Sequence, residues 1–443
     1  MKVRFAPSPT GYIHVGNCRT LLINWLFARH HGAEFILRLD DTDKERNERR
    51  YEEGLLEDLQ WLGLNYDQYL KQSDRMGLYE AAVSKLKAIG RLYACYETPE
   101  ELEFKRRRQV SQGLPPLYDR GSLHLSEEEK QKYIQEGRTP HWRFLILPED
   151  VTWDDMVRGP LHFEGSKLGD PVLIREDGMP IYTLASVVDD HDMGITHIIR
   201  GEDHIANTAV QLQIFKALGA NLEKLHFGHL SLLQSADGGE LSKRLGTGSI
   251  RELRNDGILP MAINSILAKI GTSDSIQPFS HMNDLIKTFD MEKFSRGTPK
   301  FSIVELQMIN QKLVHQLSLE EARSQSGLPH IEENFWTAVR PNLKTLHELK
   351  DWWTICREDI KTKTTAPEFI ETALRLLPLE PWTTTTISDW LTVLKQETGR
   401  KGKDLFMPLR QALTGHDHGP EFALLLNLMG HALTKKRLEG SLK

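Results

Sequence analysis

Hydrophobic and polar residues along the first part of the chain form blocks that predict strands and helices in turn. The apolar run at residues 2–7 predicts a strand, and residues 15–31 place apolar side chains at helical spacing until Gly32 ends the pattern. Residues 33–39 predict a second, buried strand, and a further amphipathic helix follows it. Strand, helix and strand with short connections predict a parallel βαβ unit and therefore an open α/β fold.

A break in this alternation lies between about Arg91 and Gly178. Residues 98–102 carry the signals of a helix start, with Thr at the N-cap, Pro at the first helical position and Glu three residues after the cap. Short strand-like pieces follow that helix. We therefore predict an insertion with a small core of its own.

The alternating pattern resumes after the insertion and then ends. Residues 179–188 and 194–201 are predicted to be strands, and a helix is predicted from about Ile205 to Leu218. From Ser249 onward, amphipathic helical segments dominate and strand signals fade. The chain is therefore expected to have an α/β front part and an all-helical rear part.

The composition of the 443 residues, 39% hydrophobic and 27% charged, is typical of a soluble protein with more than one domain. No uncharged apolar run is long enough to cross a bilayer, and Met1 leads directly into the first strand, so neither a membrane anchor nor a signal peptide is expected. Three scattered cysteines favour a reducing compartment, and we predict a cytoplasmic protein. The formal charge of −6 argues weakly against a nucleic-acid partner, and the basic runs at 105–108 and 435–437 are interpreted as solvated helix faces.

Two loops carry candidate chemistry. Residues 4–17 join the first strand to the first helix, at the sheet edge where ligands bind and where a helix N-terminus favours phosphate. In this loop Gly16 permits close approach to the backbone, and His14 can donate a hydrogen bond to an oxyanion. Residues 237–247 form a glycine-rich loop with two adjacent cations, which on its own would be interpreted as a surface hairpin. Neither a P-loop nor a dinucleotide-binding glycine motif occurs in the sequence.

Taken together, the two loops resemble the paired signature motifs of class I aminoacyl-tRNA synthetases. HVGN at 14–17 resembles the HIGH motif, and LSKR at 241–244 resembles the KMSKS motif. APSPTG at 6–11 narrows the resemblance to the glutamyl and glutaminyl branch. Residues 297–310 and 408–430 resemble the stem-contact region and the C-terminal helical domain of bacterial glutamyl-tRNA synthetases. The resemblance covers essentially the full length, and its motifs are specific in combination.

This resemblance implies an α/β Rossmann-type catalytic domain with an α+β acceptor-stem insertion, followed by all-α stem-contact and anticodon-binding domains. The implied boundaries are 1–90 and 181–245 for the two halves of the catalytic domain, 91–180 for the insertion, 246–318 for the stem-contact domain, and 319–365 and 366–443 for two anticodon-binding subdomains.

The resemblance also implies a two-step reaction. Glutamate attacks the α-phosphate of ATP to give glutamyl adenylate, and the 2′-hydroxyl of the terminal tRNA ribose then takes the glutamyl group. The implied partners are ATP with Mg²⁺, L-glutamate and tRNA-Glu, and the chain is expected to act as a monomer. Charging of tRNA-Gln as well stays open. So does a tRNA-binding paralogue without aminoacylation activity, although the intact His14, Gly16 and Lys243 argue against it.

The residues that match the family's ATP site are His14, Gly16, Asp203, His204, Leu241, Lys243 and Arg244. His14 and Lys243 are the predicted catalytic residues. Both are expected to contact phosphate, because phosphoryl-type transfer depends mainly on positioning and charge stabilisation. Glu240 stands where the family usually has Lys, so one expected cation is missing.

The residues that match the family's glutamate pocket are Arg4, Ala6, Ser8, Asp40, Tyr182, Ser186 and Arg200. Arg4 and Arg200 are expected to bind substrate carboxylate through charge-assisted hydrogen bonds, with Arg200 on the γ-carboxylate. Asp40 is expected to accept from the substrate ammonium, where the family usually has Glu. The family often has Asn in place of Ser186, and Ser8 is interpreted as a turn residue.

A cluster of carboxylates raises the question of a metal site. Asp189, Asp190 and Asp192 could ligate a metal, but structural roles at a sheet edge are the favoured interpretation. Some family members bind zinc through cysteines of the insertion. Only Cys95 remains in that region here, so no zinc is expected.

Two residues of the rear part match anticodon-binding positions of the family. Asn342 corresponds to a residue that faces the third anticodon base, where members that reject tRNA-Gln tend to carry Arg. Arg410 is expected to contact the shared part of the anticodon. Asn has both a donor and an acceptor on a short side chain, so relaxed charging and charging of tRNA-Glu alone both stay open.

Overall fold

The computed structural model describes residues 1–43, 45–236 and 248–443. Within these residues the chain forms two compact units. The first comprises residues 1–252, 264–276 and 281–302, and the second comprises residues 253–263, 277–280 and 303–443. Each unit buries hydrophobic side chains of its own.

All strands that the described residues form belong to the first unit. They are β1 (Lys2–Phe5), β2 (Glu34–Leu39), β3 (Gln68–Lys71), β4 (Leu92–Cys95), β5 (His141–Phe144), β6 (Val151–Asp155), β7 (Gly159–Phe163), β8 (Val172–Ile174), β9 (His197–Gly201), β10 (His226–Leu230), β11 (Gln234–Ser235) and β12 (Lys300–Phe301). The main sheet has the order β3-β2-β1-β9-β10-β6-β7 and is parallel except for β7. The predicted α/β class is therefore confirmed.

The helices of the first unit begin with α1 (Val15–His31), α2 (Arg49–Leu62), α3 (Met76–Ala88), α4 (Pro99–Ser111), α5 (Glu127–Gln135), α6 (Tyr182–Asp192) and α7 (Ile205–Ala217). Next come α8 (Ile250–Asn255) and α9 (Pro260–Lys269), which contain residues of both units, and α10 (Met282–Lys287). None of the helices among the described residues is long and apolar enough to span a membrane.

The regular elements that the described residues of the second unit form are all helices, as the sequence pattern predicted. Its helices are α11 (Ile303–Gln316), α12 (Leu319–Ser326), α13 (Glu333–Val339), α14 (Glu348–Arg357), α15 (Pro367–Arg375), α16 (Thr384–Thr398), α17 (Lys403–Thr414) and α18 (Phe422–Ser441). Buried Arg437 in α18 ties this unit together, because its Nη2 donates to the carbonyl of Ile355 in α14 at 2.9 Å.

Helix α1 has the bounds that its apolar pattern predicts. It ends at Gly32, whose φ of 62° lies in the left-handed region that strains a residue with a Cβ. The helix is buried over most of its surface, and the buried Asn24 donates to the carbonyl of Ile199 in β9 at 3.0 Å. This bond fixes α1 against the centre of the main sheet.

The prediction of a strand at residues 179–188 is wrong. Helix α6 occupies most of this segment, and Pro180 makes only an isolated β-bridge. Helix α6 packs against α3 and α7, and every residue from Leu184 to Asp190 is buried. A short apolar run that is buried on all sides has the same composition in a helix as in a strand, so periodicity cannot separate the two.

The insertion contains the capping box that the sequence predicts. Thr98 Oγ1 accepts from the N–H of Glu101 at 3.3 Å, and the Glu101 carboxylate accepts from the N–H of Thr98 at 2.9 Å. Strands β4, β5 and β8 form a separate antiparallel sheet. Strands β6 and β7, however, extend the main sheet, with Asp155 in register with Phe227. Strands β6 and β10 pair across 72 residues of chain, so no local sequence pattern indicates the pairing. The implied boundaries of the insertion at 91 and 180 stay predictions.

One carboxylate cross-links the insertion. Glu97, two residues after β4, accepts hydrogen bonds from Tyr118 Oη at 2.7 Å, Ser122 Oγ at 2.7 Å and Lys105 Nζ at 3.1 Å. Burial alone would raise the pKa of Glu97, but these hydrogen bonds outweigh it and lower the pKa to about 2. The ionised form of Glu97 therefore holds α4 and the segment around residue 120 to the end of β4.

We expect Glu97→Gln to destabilise the insertion by about 1–3 kcal/mol, because the amide loses one acceptor and the charge. The folded pKa of Glu97 lies below its ordinary value of 4.5, so its contribution is present above that pH and is lost as the pH falls toward 2. Hydrogen exchange of the β4 and β5 amides measures both effects. Glu103→Gln on the exposed face of α4 is the control, with an expected change below about 0.5 kcal/mol. Equal effects of the two substitutions would contradict the cross-link.

Candidate active site

A cavity of about 820 Å³ opens at the carboxyl ends of β1, β9 and β10. Phe5, Gly201 and Leu230, the last residues of these strands, all lie in its wall. The first residues of α1 also line it. Parallel sheets bind ligands at this edge, and the N-terminus of a long helix suits an anion.

Ten of the predicted site residues line this cavity: Arg4, Ala6, Ser8, His14, Gly16, Asp40, Tyr182, Arg200, Asp203 and His204. Ser186 does not line it, because its side chain is buried and accepts from Gln211 Nε2 at 2.8 Å. The predicted residues Leu241, Lys243 and Arg244 lie outside the described residues, as does Glu240.

His14 is the N-cap of α1, and this role determines its tautomer. Its Nδ1 accepts from the backbone N–H groups of Gly16 at 3.1 Å and Asn17 at 3.4 Å. Desolvation lowers the pKa of His14, so the ring is neutral at pH 7 and carries its proton on Nε2. A Cβ at position 16 would lie 3.0 Å from Cε1 of His14, so the close approach of ring and backbone favours glycine there. The site therefore presents an Nε2–H donor beside the N-terminus of α1.

Arg4 reaches the cavity wall with one edge of its guanidinium fixed. Its Nε donates to both oxygens of Asp190, at 3.1 and 3.2 Å, while no described residue accepts from its two Nη atoms. The fully buried Arg38 donates to the same Asp190 at 2.7 Å. Burial alone would raise the pKa of Asp190, but the two arginines outweigh it and lower the pKa. The Nη atoms of Arg4 are therefore left to a ligand.

The carboxylates considered as metal ligands are carried by helix α6, and Asp190 bonds to arginines of β1 and β2 in the main sheet. Asp189 accepts from Gln72 Nε2 at 2.7 Å, from Arg75 Nε at 2.7 Å and from Tyr79 Oη at 2.9 Å. Arg75 also donates to Asp192 at 2.6 Å. These bonds support the structural interpretation, and the described residues contain no group of three side chains suited to a metal.

Neutral groups surround the guanidinium of Arg200. Its Nη1 donates to Tyr182 Oη at 3.0 Å, and its Nη2 donates to Thr208 Oγ1 at 2.7 Å and Gln211 Oε1 at 2.6 Å. The side chain is 5% exposed, and no described carboxylate forms an ion pair with it. Burial lowers the pKa of Arg200 accordingly. A buried cation of this kind favours an anionic ligand in the cavity.

Asp203 and His204 follow β9 at the cavity mouth. A Cβ at Gly201 would displace the side chain of Asp203, whose Oδ1 lies close to that position. Burial, with a contribution from Arg200, lowers the pKa of His204 to about 4. The neutral ring of His204 lies 5.3 Å from the ring of Tyr182.

Sequence reasoning missed four polar residues in and behind the Arg200 environment: Asp155, Thr208, Gln211 and His229. Thr208 and Gln211 stand one turn apart in α7, and polar side chains at i and i+3 of one helix face are a usable signal. His229 interrupts an apolar strand, and its Nδ1 lies 2.5 Å from Asp155 Oδ2. Asp155 gave no sequence signal, because its strand β6 lies in the segment predicted to be an insertion.

The two predicted anticodon residues lie in the second unit. Asn342 ends a short 3₁₀ turn, and its side chain makes no hydrogen bond with a described residue. Arg410 in α17 donates from Nη2 to the carbonyl of Pro420 at 2.9 Å, while its Nη1 is buried without an acceptor among the described residues. Both side chains thus retain hydrogen-bonding capacity, and their anticodon roles stay predictions.

Comparisons with known proteins agree with this geometry. Residues 1–308 match the family of class I tRNA synthetases (E and Q), catalytic domain, and residues 312–442 match an anticodon binding domain. A glutamate–tRNA ligase of Azospirillum brasilense is 52% identical, with 99% of this chain and 98% of the relative covered. Glutamate–tRNA ligase 1 of Maricaulis maris is 49% identical, with 99% of each chain covered. The crystal structure of a glutamate tRNA ligase from Elizabethkingia meningosepticum in complex with its amino acid is 27% identical with a TM-score of 0.84, and covers 100% of this chain and 99% of the other.

We expect NMR to find His14 neutral and protonated on Nε2 at pH 7, because Nδ1 accepts from the helix N–H groups. Long-range proton–nitrogen spectra of ¹⁵N-histidine-labelled protein identify the tautomer, with His14→Asn to assign the signal. The titration midpoint of the ring should lie below its usual 6.5. Gly16→Ala, whose methyl group presses on the ring, should disturb the signal. A ring protonated on Nδ1 would refute the capping geometry.

Proposed function

This chain belongs to the class I glutamyl-tRNA synthetase family, and from that premise we propose that it attaches L-glutamate to tRNA-Glu through a glutamyl adenylate. The observation that best supports the proposal is the buried, cationic Arg200, which forms no ion pair with a described residue. It lines the same cavity as the N-terminus of α1, so an acidic substrate and a polyphosphate can meet there. A tRNA-binding paralogue without aminoacylation is not favoured, because this cavity retains His14, Gly16 and both arginines.

The γ-carboxylate of glutamate is proposed to bind Arg200 and Tyr182. The hydrogen bond from Arg200 Nη1 to Tyr182 Oη leaves the second hydrogen on Nη1 and the hydroxyl proton of Tyr182 for the ligand. Two donors suit the two oxygens of a carboxylate. The carboxamide of glutamine would turn its own N–H groups toward one of these donors, so it is disfavoured.

The substrate ammonium is proposed to bind Asp40. Arg38 donates to both oxygens of this carboxylate, at 2.8 and 3.3 Å, and each oxygen keeps a second acceptor position. Burial raises the pKa of Asp40 to about 6, while the ion pair with Arg38 favours the ionised carboxylate. The Nη atoms of Arg4 complete the carboxylate-binding donors of the pocket.

The phosphates of ATP are proposed to lie at the N-terminus of α1. The positive end of the α1 dipole and the Nε2–H of His14 favour phosphoryl oxygens there, and Gly16 allows the close approach. Asp203 and His204 are then left to the ribose and the adenine. Mg²⁺ is expected to enter with ATP and to supply charge neutralisation at the phosphates. Lys243, outside the described residues, is proposed to stabilise the leaving pyrophosphate.

Activation needs no proton transfer by the protein, because the α-carboxylate of glutamate attacks as an anion. A bond forms between this carboxylate and the α-phosphorus of ATP as the bond to pyrophosphate breaks. The protein's residues align the two substrates and stabilise charge on the phosphoryl oxygens. The Nε2–H of neutral His14 is suited to stabilising this charge, because it donates a hydrogen bond without transferring its proton.

The tRNA partner is proposed to engage the second unit through its anticodon and the insertion through its acceptor stem. The match of residues 312–442 to an anticodon binding domain supports the first contact. The same proposal includes the domain boundaries at 318, 365 and 366, a monomeric state and a cytoplasmic location.

Arg200→Gln is expected to lower kcat/KM for glutamate by about 1,000-fold or more, because the γ-carboxylate loses its buried counter-ion. The KM for ATP should change little. ATP–pyrophosphate exchange in the presence of tRNA-Glu measures both. Arg91→Gln is the matched control, since Arg91 is partly buried and hydrogen-bonded to Leu145 and Gln213, outside the cavity. Unchanged glutamate kinetics in Arg200→Gln would rule out this role of Arg200.

For tRNA choice, we propose that Asn342 permits glutamylation of both tRNA-Glu and tRNA-Gln. Its amide makes no hydrogen bond with a described residue and can accept from or donate to either base. Purified transcripts of both tRNAs should therefore be charged with glutamate. Asn342→Arg should lower charging of tRNA-Gln by about tenfold or more relative to tRNA-Glu. If the unaltered protein efficiently charges only tRNA-Glu, the proposal of relaxed specificity is wrong.

A further inference from the structure

The polar groups around Arg200 share one property, which is that each of them is neutral. Tyr182, Thr208 and Gln211 accept from its Nη atoms at 2.6 to 3.0 Å, and His229 Nε2 lies 3.4 Å from its Nε. Arg38, in the same unit, pairs with three aspartates and so is fully compensated within the protein. Arg38 therefore has its counter-charge within the protein, whereas no described residue supplies one for Arg200.

Helix α7 supplies the two acceptors that fix the guanidinium plane. Thr208 and Gln211 stand one turn apart, and both accept from Nη2, at 2.7 and 2.6 Å, so both hydrogens of that atom are used. The Nε–H is directed at His229. Rotation of the guanidinium would break all of these bonds at once, and only the Nη1 edge remains for a ligand.

Two further residues, Ser186 and Asp155, orient these acceptors, while burial lowers the pKa of His229 and keeps its ring neutral. Gln211 Nε2 donates to Ser186 Oγ at 2.8 Å, which turns the amide oxygen of Gln211 toward Arg200. His229 Nδ1 bonds to Asp155 at 2.5 Å, so the proton sits on Nδ1 and Nε2 is left as an acceptor. Thr208 Oγ1 lies 2.9 Å from the same Nε2.

We propose that Gln211, with Thr208, Ser186 and His229, forms a neutral cradle that positions Arg200 and reserves its charge for the substrate, so that Gln211 is a specificity-determining positioning residue. This inference rests on the proposed binding of the γ-carboxylate by Arg200. It also gives Ser186 a role through Gln211 in place of the predicted direct contact.

The cradle requires an uncharged residue at position 211. A carboxylate at position 211 could still accept from Arg200, but it would neutralise the guanidinium and compete with the γ-carboxylate. Charges a few ångströms apart in a buried site are poorly screened, so the loss of glutamate affinity should be large. Glutamine, which is uncharged, should lose far less.

The test compares Gln211→Glu and Gln211→Met in ATP–pyrophosphate exchange with tRNA-Glu, using glutamate and glutamine as alternative substrates. Gln211→Glu should raise the KM for glutamate by about 100-fold and lower the glutamate-to-glutamine ratio of kcat/KM by a similar factor. Gln211→Met, which removes the amide's bonds to Nη2 and to Ser186 without adding a charge, should raise the KM for glutamate by about tenfold. The KM for ATP should stay within about twofold in both, a pattern that general destabilisation does not produce.

Gln213→Glu is the matched control. Gln213 lies on the same helix and is equally buried, but its amide bonds to Leu147 and Arg91, outside the cavity. Its glutamate KM and its substrate ratio should stay within about threefold of the unaltered protein. If Gln211→Glu does not fold, the Gln211→Met measurement decides the question alone.

The outcomes separate the two proposals. A Gln211→Glu or Gln211→Met protein with unchanged glutamate KM and ratio, or with changes equal to those of Gln213→Glu, overturns the cradle while leaving the role of Arg200 intact. Unchanged glutamate kinetics in Arg200→Gln overturns the role of Arg200 itself, and the cradle with it.

Discussion

The site depends on how the protein compensates buried arginine charge at one edge of its parallel sheet. Three arginines and three aspartates meet there in a network of short hydrogen bonds: Arg4, Arg38, Arg75, Asp40, Asp189 and Asp190. The charges balance within the network, which is what allows so many of them to be buried. Because the members come from β1, β2, the turn after β3 and helix α6, the same network fixes the relative positions of these elements.

Arg200 stands outside this balance, and the contrast between the two kinds of arginine explains the chemistry of the cavity. Asp190 restrains Arg4 at Nε and leaves its Nη atoms to a ligand, while neutral acceptors hold Arg200 and leave its charge uncompensated among the described residues. Preorganised donors of this kind become ordered when the protein folds, so less conformational entropy is lost when a substrate binds. The N-terminus of α1, capped by neutral His14, follows ten residues after Arg4 in the chain and lines the same cavity.

Local patterns in the sequence predicted the elements that depend on local physics. The bounds of α1 follow from its apolar spacing and Gly32, and the Thr98 capping box follows from side chains that bond to their own helix end. The strand predicted at 179–188 failed because burial on all sides removes the periodicity that distinguishes a helix from a strand. The placement of β6 in the main sheet could not be predicted either, because its partner β10 lies far along the chain.

Sequence patterns alone predicted a loop suited to phosphate after the first strand, indicated a resemblance to one branch of the class I synthetases, and identified the charged side chains. Which of these charges are compensated depends on how the folded chain packs. Arg4 and Asp190 are 186 residues apart, and Arg38 and Asp190 are 152 apart, so no local pattern could pair them. Likewise Ser186 lies behind the cavity wall, where it orients Gln211. The free energy of a buried charge depends on what lies within a few ångströms of it, and that distance is set by packing between distant segments.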